Sequence, residues 1–405
     1  MSYGPTKLGR IWVKQQGAWG TYATSLADTD AIDAQGMFMP SGAYEALGQP
    51  TQRPVFGASD KKAGSKAGAT AQLTFVLTDC GAASAATIEH KLIADALGTM
   101  QVQAAIGTIQ AGSLSNKLLV ASGNVDWIGQ GALVTAPTGA RKMTFVQDVA
   151  TAPTPDEVTI LELNGTPDTA QSVGRTITIG FSTEGLAGLP FTMEFATAGA
   201  NGGFRAWDGR VTACNITANA KAQVLVAVTL QFLDWEYVDA LSAPAFSFPR
   251  TQLGPVLNTY SLDVGTDAAF CYSELAVNIT QTLSEALCSS SEQGVSQLVT
   301  TDRQVVITER MLTDDIYTDL ITNGTIEPGQ PLERLWGLTS TKVSQGYHAA
   351  CYGAALQLQS TSKPVDLGGI WGLERVYEVR NVVAPNDGTA GASTVKGTAF
   401  RIAFG

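Results

Sequence analysis

The sequence has few of the residues from which catalytic and metal centres are built. It contains two histidines, His90 and His348, and five cysteines, none of which forms a C-x-x-C pair. It has no Walker loop, G-x-S-x-G, H-E-x-x-H or EF-hand pattern. Carboxylate pairs such as Asp314-Asp315 are adjacent in sequence, whereas glycosidase carboxylates face each other across a cleft. We therefore expect no enzyme activity, metal or cofactor, and buried, reduced cysteines.

Charge is also scarce. Charged residues make up 15% of the chain, and the formal net charge is −11; a typical soluble domain has about 25% charged residues. The only obvious basic cluster, Lys61–Lys66, is predicted to be a solvated loop. This composition argues against binding to nucleic-acid phosphates, although an acidic surface lets DNA pass without trapping it. Low charge is also typical of surfaces that are buried against other subunits.

Long apolar segments are missing too. No uninterrupted apolar run approaches the roughly 20 residues of a membrane helix. The opening residues, MSYGPTKLGR, lack the apolar region of a signal peptide. We expect a protein that is made in a cytoplasm and has no membrane partner.

Glycine is abundant, at 42 residues, and with alanine, threonine and valine it favours many strands joined by tight turns. The longest strand pattern, Ala222–Phe232, alternates an apolar face with a small, weakly polar face that carries no charge. Leu275–Thr280 has the same design. The sequence therefore predicts a mainly β fold.

One unit occurs twice in the chain. Residues 71–98 and 303–324 each begin with a strand pattern, continue through Leu-Thr-Asp, and end in a short amphipathic helix followed by glycine. In the second copy, Asp314 is the predicted N-cap of a helix over 315–322. The chain is long enough for two ordinary domains. We predict two tandem β-sandwich domains, 51–245 and 246–405, each with a flanking α-helix.

The first predicted domain is larger than the second. Short strand patterns separated by glycine, proline and aspartate turns fill residues 107–181, and the second copy has no equivalent. This segment is predicted to be a small inserted β-subdomain.

Residues 1–50 are predicted to form an N-terminal arm. A short strand, Ile11–Lys14, is followed by several glycines and prolines and by large apolar side chains. Such side chains must be buried, and we expect a neighbouring subunit to cover part of them. The predicted residues of this subunit and ring-stacking contact are Trp12, Trp19, Tyr22 and Phe38.

Taken together, these features resemble the major tail protein, or tail tube protein, of long flexible-tailed bacteriophages (siphophages). The resemblance rests on the opening segment Trp12–Ala23, on the repeated strand–Leu-Thr-Asp–helix unit, and on the final hairpins. The hairpins run from Tyr347 through Tyr377–Val379 to Phe400–Phe404. The resemblance covers most of the chain except the insertion.

The resemblance implies that each domain has two orthogonal sheets and a flanking helix, and that subunits form rings. With two domains in each chain, a homotrimer would act as a hexamer, and the rings would stack into a tube that conducts genome DNA during ejection. The implied partners are further copies of the chain and the tape measure, tail terminator and distal tail proteins, while double-stranded DNA passes without specific binding. The implied location is the virion tail, assembled in the host cytoplasm. The candidate lumen-facing residues are Glu274, Asn278 and Glu378.

Three other interpretations stay open. A distal-tail or tail-completion ring and a secretion-system tube would share the same domain, and only stacking into long tubes separates them from a tail tube. A carbohydrate-binding or carbohydrate-active β-sandwich would need an aromatic-lined cleft with convergent carboxylates.

Overall fold

The structure is a computed structural model. It describes residues 9–24, 26–34, 41–48, 61–77, 86–103, 106–121, 123, 127–135, 141–151, 154–161, 167, 169, 172–182, 188–197, 203–219, 222–239, 241, 256–262, 271–288, 295–312, 331–340, 349–359, 363–380 and 395–405. The fold is mainly β, as predicted, and its strands pair antiparallel.

The elements before residue 182 are β1 (Gly9–Gln15), β2 (Ala31–Ile32), β3 (Ser41–Gly48), β4 (Lys61–Val76), α1 (Ile88–Leu97), β5 (Gly98–Gln103), β6 (Ile106–Thr108), β7 (Lys117–Val120), β8 (Gly131–Thr135), β9 (Arg141–Ala150), β10 (Asp156–Ile160), β11 (Ser172–Val173) and β12 (Thr176–Phe181). The elements after it are β13 (Phe191–Thr197), β14 (Gly203–Asn219), β15 (Leu225–Val238), β16 (Val256–Leu262), β17 (Cys271–Leu287), β18 (Val295–Leu312), β19 (Pro331–Ser340), β20 (Ala349–Leu358), β21 (Lys363–Asp366), β22 (Trp371–Val379) and β23 (Phe400–Phe404).

The main sheet has the order β4–β15–β14–β17–β18–β22, with β21 along the outer side of β22. The pairing of β14 with β17 joins the first half of the chain to the second. The two Asn-Ile-Thr segments lie in these strands, and Asn215 is directly opposite Asn278. The predicted domain boundary near residue 245 lies outside the described residues.

A second sheet has the order β16–β19–β20–β23–β12–β5. Its strand β20 also pairs with β22, which connects it to the main sheet. Both sheets contribute to one hydrophobic core, with Val226 and Val277 from the main sheet and Ile179 and Ile402 from the second. The core therefore spans both halves of the chain.

Helix α1 forms as the first copy of the repeat predicts. Its apolar stripe, Ile88, Leu92, Ile93, Ala96 and Leu97, is fully buried, and the helix packs against β12, β14 and β5. It ends at Gly98, whose φ of 116° favours glycine. The second predicted helix and its N-cap, Asp314, lie outside the described residues.

The inserted subdomain is smaller than its predicted range. A four-stranded sheet, β7–β10–β9–β8, and the β6–β11 pair surround a separate core that includes Leu118, Val146 and Val158. Strand β12, which lies at the end of the predicted range 107–181, instead pairs with β5 and β23. Every residue of β12 is buried, because the subdomain covers the second sheet through contacts such as Phe145 with Tyr352. Strand β12 is thus paired along both edges and covered on both faces.

The basic cluster is not a loop. Lys61–Lys66 lies in β4, whose first residues pair with β3 and whose last residues, Ala69–Val76, pair with β15. Strand β4 is 16 residues long. Hydrogen bonds to two successive partners explain why a glycine- and lysine-rich segment is extended here.

The N-terminal segment is part of the folded chain. All seven residues of β1 pair with β13, and Ile11 and Val13 belong to the main core. Trp12 has no exposed surface, because Ala31 and Ala196 cover it from the same chain. Trp12 therefore has no exposed surface in the single chain, and its contact with a neighbouring subunit stays a prediction.

The other predicted arm residues differ in exposure. Trp19 and Tyr22 are half-buried. The Tyr22 hydroxyl donates to Glu194, its ring lies edge-on to Trp207, and the Arg205 guanidinium lies 4.3 Å from the ring centroid. Tyr22 is thus held by its own chain, and Phe38 lies outside the described residues.

Candidate functional site

One side of the main sheet is built from small and polar side chains. In β17, Leu275, Val277 and Ile279 point into the core, so Glu274 and Asn278 lie on the other side and are half-buried. The same alternation occurs in each main-sheet strand. We call the part of this surface between the rows of Glu274 and Thr280 the polar face. Its exposed and half-buried members are Gln72, Thr74, Leu225, Ala227, Thr229, Ala213, Asn215, Thr217, Asn219, Glu274, Ala276, Asn278, Thr280, Gln304, Val306, Thr308, Arg310, Glu374, Val376 and Glu378.

The strand register brings the predicted lumen residues onto this one face. Ala227 pairs with Asn215, Asn215 with Asn278, Asn278 with Val306, and Val306 with Glu378. Asn278 and Glu378 therefore share one row across five strands. Glu274 lies on the same face near the start of β17. Their facing a lumen stays a prediction.

Charge on the polar face is confined to the second half of the chain. Among the described residues, β4, β15 and β14 bring only uncharged side chains to it, while β17, β18 and β22 bring three glutamates and one arginine. The sum is −3 + 1 = −2. A DNA duplex beside this face would meet a weakly repulsive surface.

The charged residues form a ladder across three strands. Arg310 donates from Nη1 to Glu274 Oε2 at 2.6 Å and from Nε to Glu374 Oε2 at 2.8 Å. The hydrogen bond to Glu374, followed by the attraction of Glu274, raises the pKa of Arg310 although partial burial opposes it. Glu378 accepts a hydrogen bond from Gln304 at 2.8 Å. Each of these partly exposed ion pairs is expected to contribute roughly 0–1 kcal/mol.

A buried ion pair lies where the two halves of the chain meet. Asp95 of α1 accepts hydrogen bonds from Arg210 Nε at 2.8 and 3.1 Å, and from the Val211 backbone N–H at 2.9 Å. Arg210 also donates to the Thr300 hydroxyl of β18 at 3.2 Å. The pair therefore ties the helix to both β14 and β18.

A second buried arginine extends this connection. Arg303 donates to Gln281 Oε1 at 2.8 Å, to the Ser182 carbonyl at 2.9 Å and to the Asp95 carbonyl at 3.3 Å. Burial lowers the pKa of Arg303 to about 10, although the Asp95 carboxylate opposes the shift. Arg303 thus stays charged at neutral pH. The Asp95 carboxylate therefore compensates the charges of two buried guanidinium groups, those of Arg210 and Arg303.

A second buried carboxylate, Glu309 of β18, contacts side chains of the neighbouring strand β22. Glu309 has no exposed surface and accepts hydrogen bonds from the Tyr377 hydroxyl at 2.5 Å and from Trp336 Nε1 at 3.0 Å, with Arg375 Nη1 at 3.7 Å. Burial, followed by the charge of Glu309, raises the pKa of Tyr377 well above its usual value. The sequence reading missed this group. The strand alternation predicts its burial, because Glu309 is two positions from Ile307 and therefore on the same, buried side of β18.

Histidine and cysteine have the positions expected of structural residues. His90 is buried, with Nδ1 2.7 Å from the Thr87 hydroxyl and its ring against Phe404. Cys214 and Cys351 are free and buried, and burial raises the pKa of each thiol to about 12. Cys288 is only half-buried, so the expectation of burial does not hold for it. His348 lies outside the described residues.

Within the segments that the structure describes, no three His, Cys, Asp or Glu side chains are grouped so that they could hold a metal ion. No helix of the described segments has the length and apolar character needed to cross a membrane.

The chain matches no protein-family model, and no curated protein matches its sequence significantly.

Proposed function

We propose that the chain is a structural subunit with two tandem tube domains, which polymerises into stacked trimeric rings and forms the tail tube of a long-tailed bacteriophage. The observation that supports this proposal most is the polar face. It is one surface, six strands wide, that crosses from the first half of the chain to the second through the β14–β17 pairing. Double-stranded DNA is the proposed cargo of the tube.

The width of this sheet suits a channel. Three chains that supply six strands each would form a barrel of 3 × 6 = 18 strands. Barrels of about 16–18 strands enclose an aqueous channel. With strands about 4.8 Å apart and tilted by about 40°, the backbone diameter would be about 35 Å. Within each chain β21 and β20 already pair along the outer side of β22 and cover that edge, so neighbouring chains would meet at β21 and β4.

The chemistry of the polar face suits passage without binding. A sheet surface of Thr, Asn, Gln and Ala side chains offers DNA phosphates no cationic cluster, and its net charge of −2 has the same sign as the cargo. The chain as a whole carries −11. Weak repulsion along the wall lowers the chance that DNA stalls inside the tube.

Electron microscopy tests the proposal directly. Purified full-length chain, concentrated and viewed in negative stain, is expected to form trimers, rings and tubes, and sedimentation is expected to show the same species in solution. Single rings that never stack would instead favour a distal-tail or tail-completion component. A chain that stays monomeric at every concentration would contradict the proposal.

Reversing charge on the polar face is expected to make assembled tubes retain DNA. The double variant Glu274→Lys/Glu378→Lys changes the net charge of the face from −2 to −2 + 4 = +2. Tubes of this variant should bind duplex DNA in a salt-dependent manner, and phage that carry it should eject DNA more slowly. Assembly should persist, because the ladder pairs contribute only roughly 0–1 kcal/mol each.

Co-sedimentation of tubes with duplex DNA over a range of salt concentrations measures the effect. Glu157→Lys is the matched control, because Glu157 pairs with Lys117 on the inserted subdomain and is only partly exposed. The control should leave DNA retention unchanged. Equal DNA retention by the double variant and the wild type would show that this face does not line the channel.

A further inference from the structure

Large apolar side chains are exposed at both ends of the main sheet. At one end, Ile370 and Trp371 lead into β22, and Trp371 is 63% exposed. At the other end, β17 finishes at Leu287, which is 82% exposed, and β15 finishes beside Tyr237, which is 71% exposed. Clustered exposed apolar side chains, such as the adjacent Ile370 and Trp371, often mark protein–protein contacts.

The strand register places these groups far apart. Gly372, next to Trp371, pairs with Leu312, and Leu312 pairs with Cys271 at the start of β17. Leu287 is the last residue of the same 17-residue strand. At about 3.4 Å per residue, the two ends of β17 are about 50 Å apart. The apolar groups therefore lie on opposite ends of the subunit's main sheet and not on one continuous patch.

The Ile370–Trp371 tip is held by a tight turn. Leu367 N–H donates to the Ile370 carbonyl at 2.9 Å, and Gly369 N–H donates to Asp366 Oδ1 at 2.6 Å. Gly368 and Gly369 have φ values of 77° and 89°, which glycine adopts without strain. A preformed tip loses little conformational freedom on binding, so its exposed tryptophan is suited to act as an anchor in an interface.

We propose that the Ile370–Trp371 tip of one copy of this chain binds the opposite end of a second copy, the end that carries Leu287 and Tyr237. This inference rests on the proposed function, and it names the contact between stacked rings. An end-to-opposite-end contact leaves one free surface of each kind after every addition, so the stack continues.

The charges near Leu287 disfavour a symmetric contact in which the Leu287 ends of two copies face each other. The β17–β18 hairpin near Leu287 exposes Glu285 and Asp302. Two such ends facing each other would bring like charges together. At the Ile370–Trp371 end, the exposed Asp366 is opposite Trp371 and the exposed Lys363 is opposite Glu374, so this end carries charges of both signs. Contact between unlike ends avoids the repulsion.

Single substitutions at the two ends test the contact. Trp371→Arg and Leu287→Arg should each leave trimers or single rings under conditions in which the wild type forms tubes. Both side chains are exposed, so circular dichroism and thermal unfolding should match the wild type. Leu114→Arg is the matched control, because Leu114 is 55% exposed on the inserted subdomain; this variant should form tubes.

Mixing the two variants tests the direction of the contact. Preformed Trp371→Arg rings keep an intact Leu287 end, and preformed Leu287→Arg rings keep an intact Trp371 end. Together they should form double rings that grow no further, visible by electron microscopy and sedimentation. Tubes from either variant alone, or a mixture without double rings, would overturn the inferred contact and leave the tube proposal standing. A wild-type chain that never assembles would overturn both.

Discussion

Replacing Asp95 with alanine is expected to destabilise the folded chain by about 3–5 kcal/mol, the range measured when one partner of a buried ion pair is removed. The variant would leave Arg210 and Arg303 buried with no carboxylate beside them, and the Val211 N–H would lose its acceptor. In the intact chain burial lowers the pKa of Arg303 to about 10, although the Asp95 carboxylate raises it. Removing Asp95 therefore lowers the pKa of Arg303 further and takes away the carboxylate that compensates the buried positive charge.

The effect should reach both halves of the chain. Asp95 belongs to α1, whereas Arg303, Gln281 and Thr300 belong to β17 and β18. Loss of the carboxylate should therefore weaken the docking of the helix and the β14–β17 junction together. Urea unfolding followed by tryptophan fluorescence and by circular dichroism measures the change, and the two probes should shift together if the halves unfold as one unit.

A partly exposed ion pair is the matched control, because it shows how much stability is lost when an ion pair that is not buried is broken. Lys117 and Glu157 also form an ion pair, at 2.9 Å, but about a third of each side chain is exposed. Lys117→Ala should cost roughly 0–1 kcal/mol. If Asp95→Ala and Lys117→Ala shift the unfolding midpoint equally, the buried network does not hold the two halves together.

Alternation of side chains was enough to predict the buried faces of the regular central strands. In β17 the period of two assigns Leu275 and Val277 to the core and Glu274 and Asn278 to the opposite side, as the structure has them. The stripe of α1 and its end at Gly98 follow from helix periodicity and from glycine's freedom at positive φ. These patterns are local, so one sequence suffices to read them.

Pairing and burial of charge depend on distant parts of the chain. The interaction of Arg210 with Asp95 spans 115 positions, and nothing near either residue indicates it. The repeated Leu-Thr-Asp shows the same limit: Leu77 is buried, whereas Leu312 is half-buried next to the buried Met311. The matched letters therefore do not occupy equivalent positions in their strands. Register is set by the partner strand, which a short motif does not specify.

The N-terminal segment shows a related limit of prediction from sequence. Large apolar residues among glycines and prolines indicate that something covers them, but not whether the cover belongs to the same chain. Here β1 lies between β13 and β2, and Trp12 is enclosed by its own chain. Composition cannot separate a subunit contact from a strand that completes its own sheet.

Deleting residues 1–34 is therefore expected to prevent folding, and not merely to stop ring stacking. The deletion removes Ile11, Trp12 and Val13, whose side chains are fully or almost fully buried. Burial of each contributes about 1.5–3 kcal/mol, or about 5–9 kcal/mol for the three. That loss is comparable to the whole stability of a typical domain, about 5–15 kcal/mol. Strand β13 would also lose one of its two hydrogen-bonded partners along its full length, while its pairing with β14 would remain.

A polar contact adds to this loss. Gln16 donates to Asp208 Oδ1 at 3.0 Å and accepts from the Asp208 N–H at 2.8 Å. Asp208 has a φ of 54°, in the left-handed region, and it would lose both of these hydrogen bonds at a position where most side chains are strained.

The matched control is a deletion of residues 1–8, which keeps β1 intact. The shorter deletion should give a soluble chain whose circular dichroism and thermal unfolding match the full-length protein, and it should still assemble. The longer deletion should give insoluble or unfolded chain. A soluble, folded 35–405 fragment that fails only to stack would show instead that the first 34 residues act as a separable arm, because β1 would then be dispensable for the core.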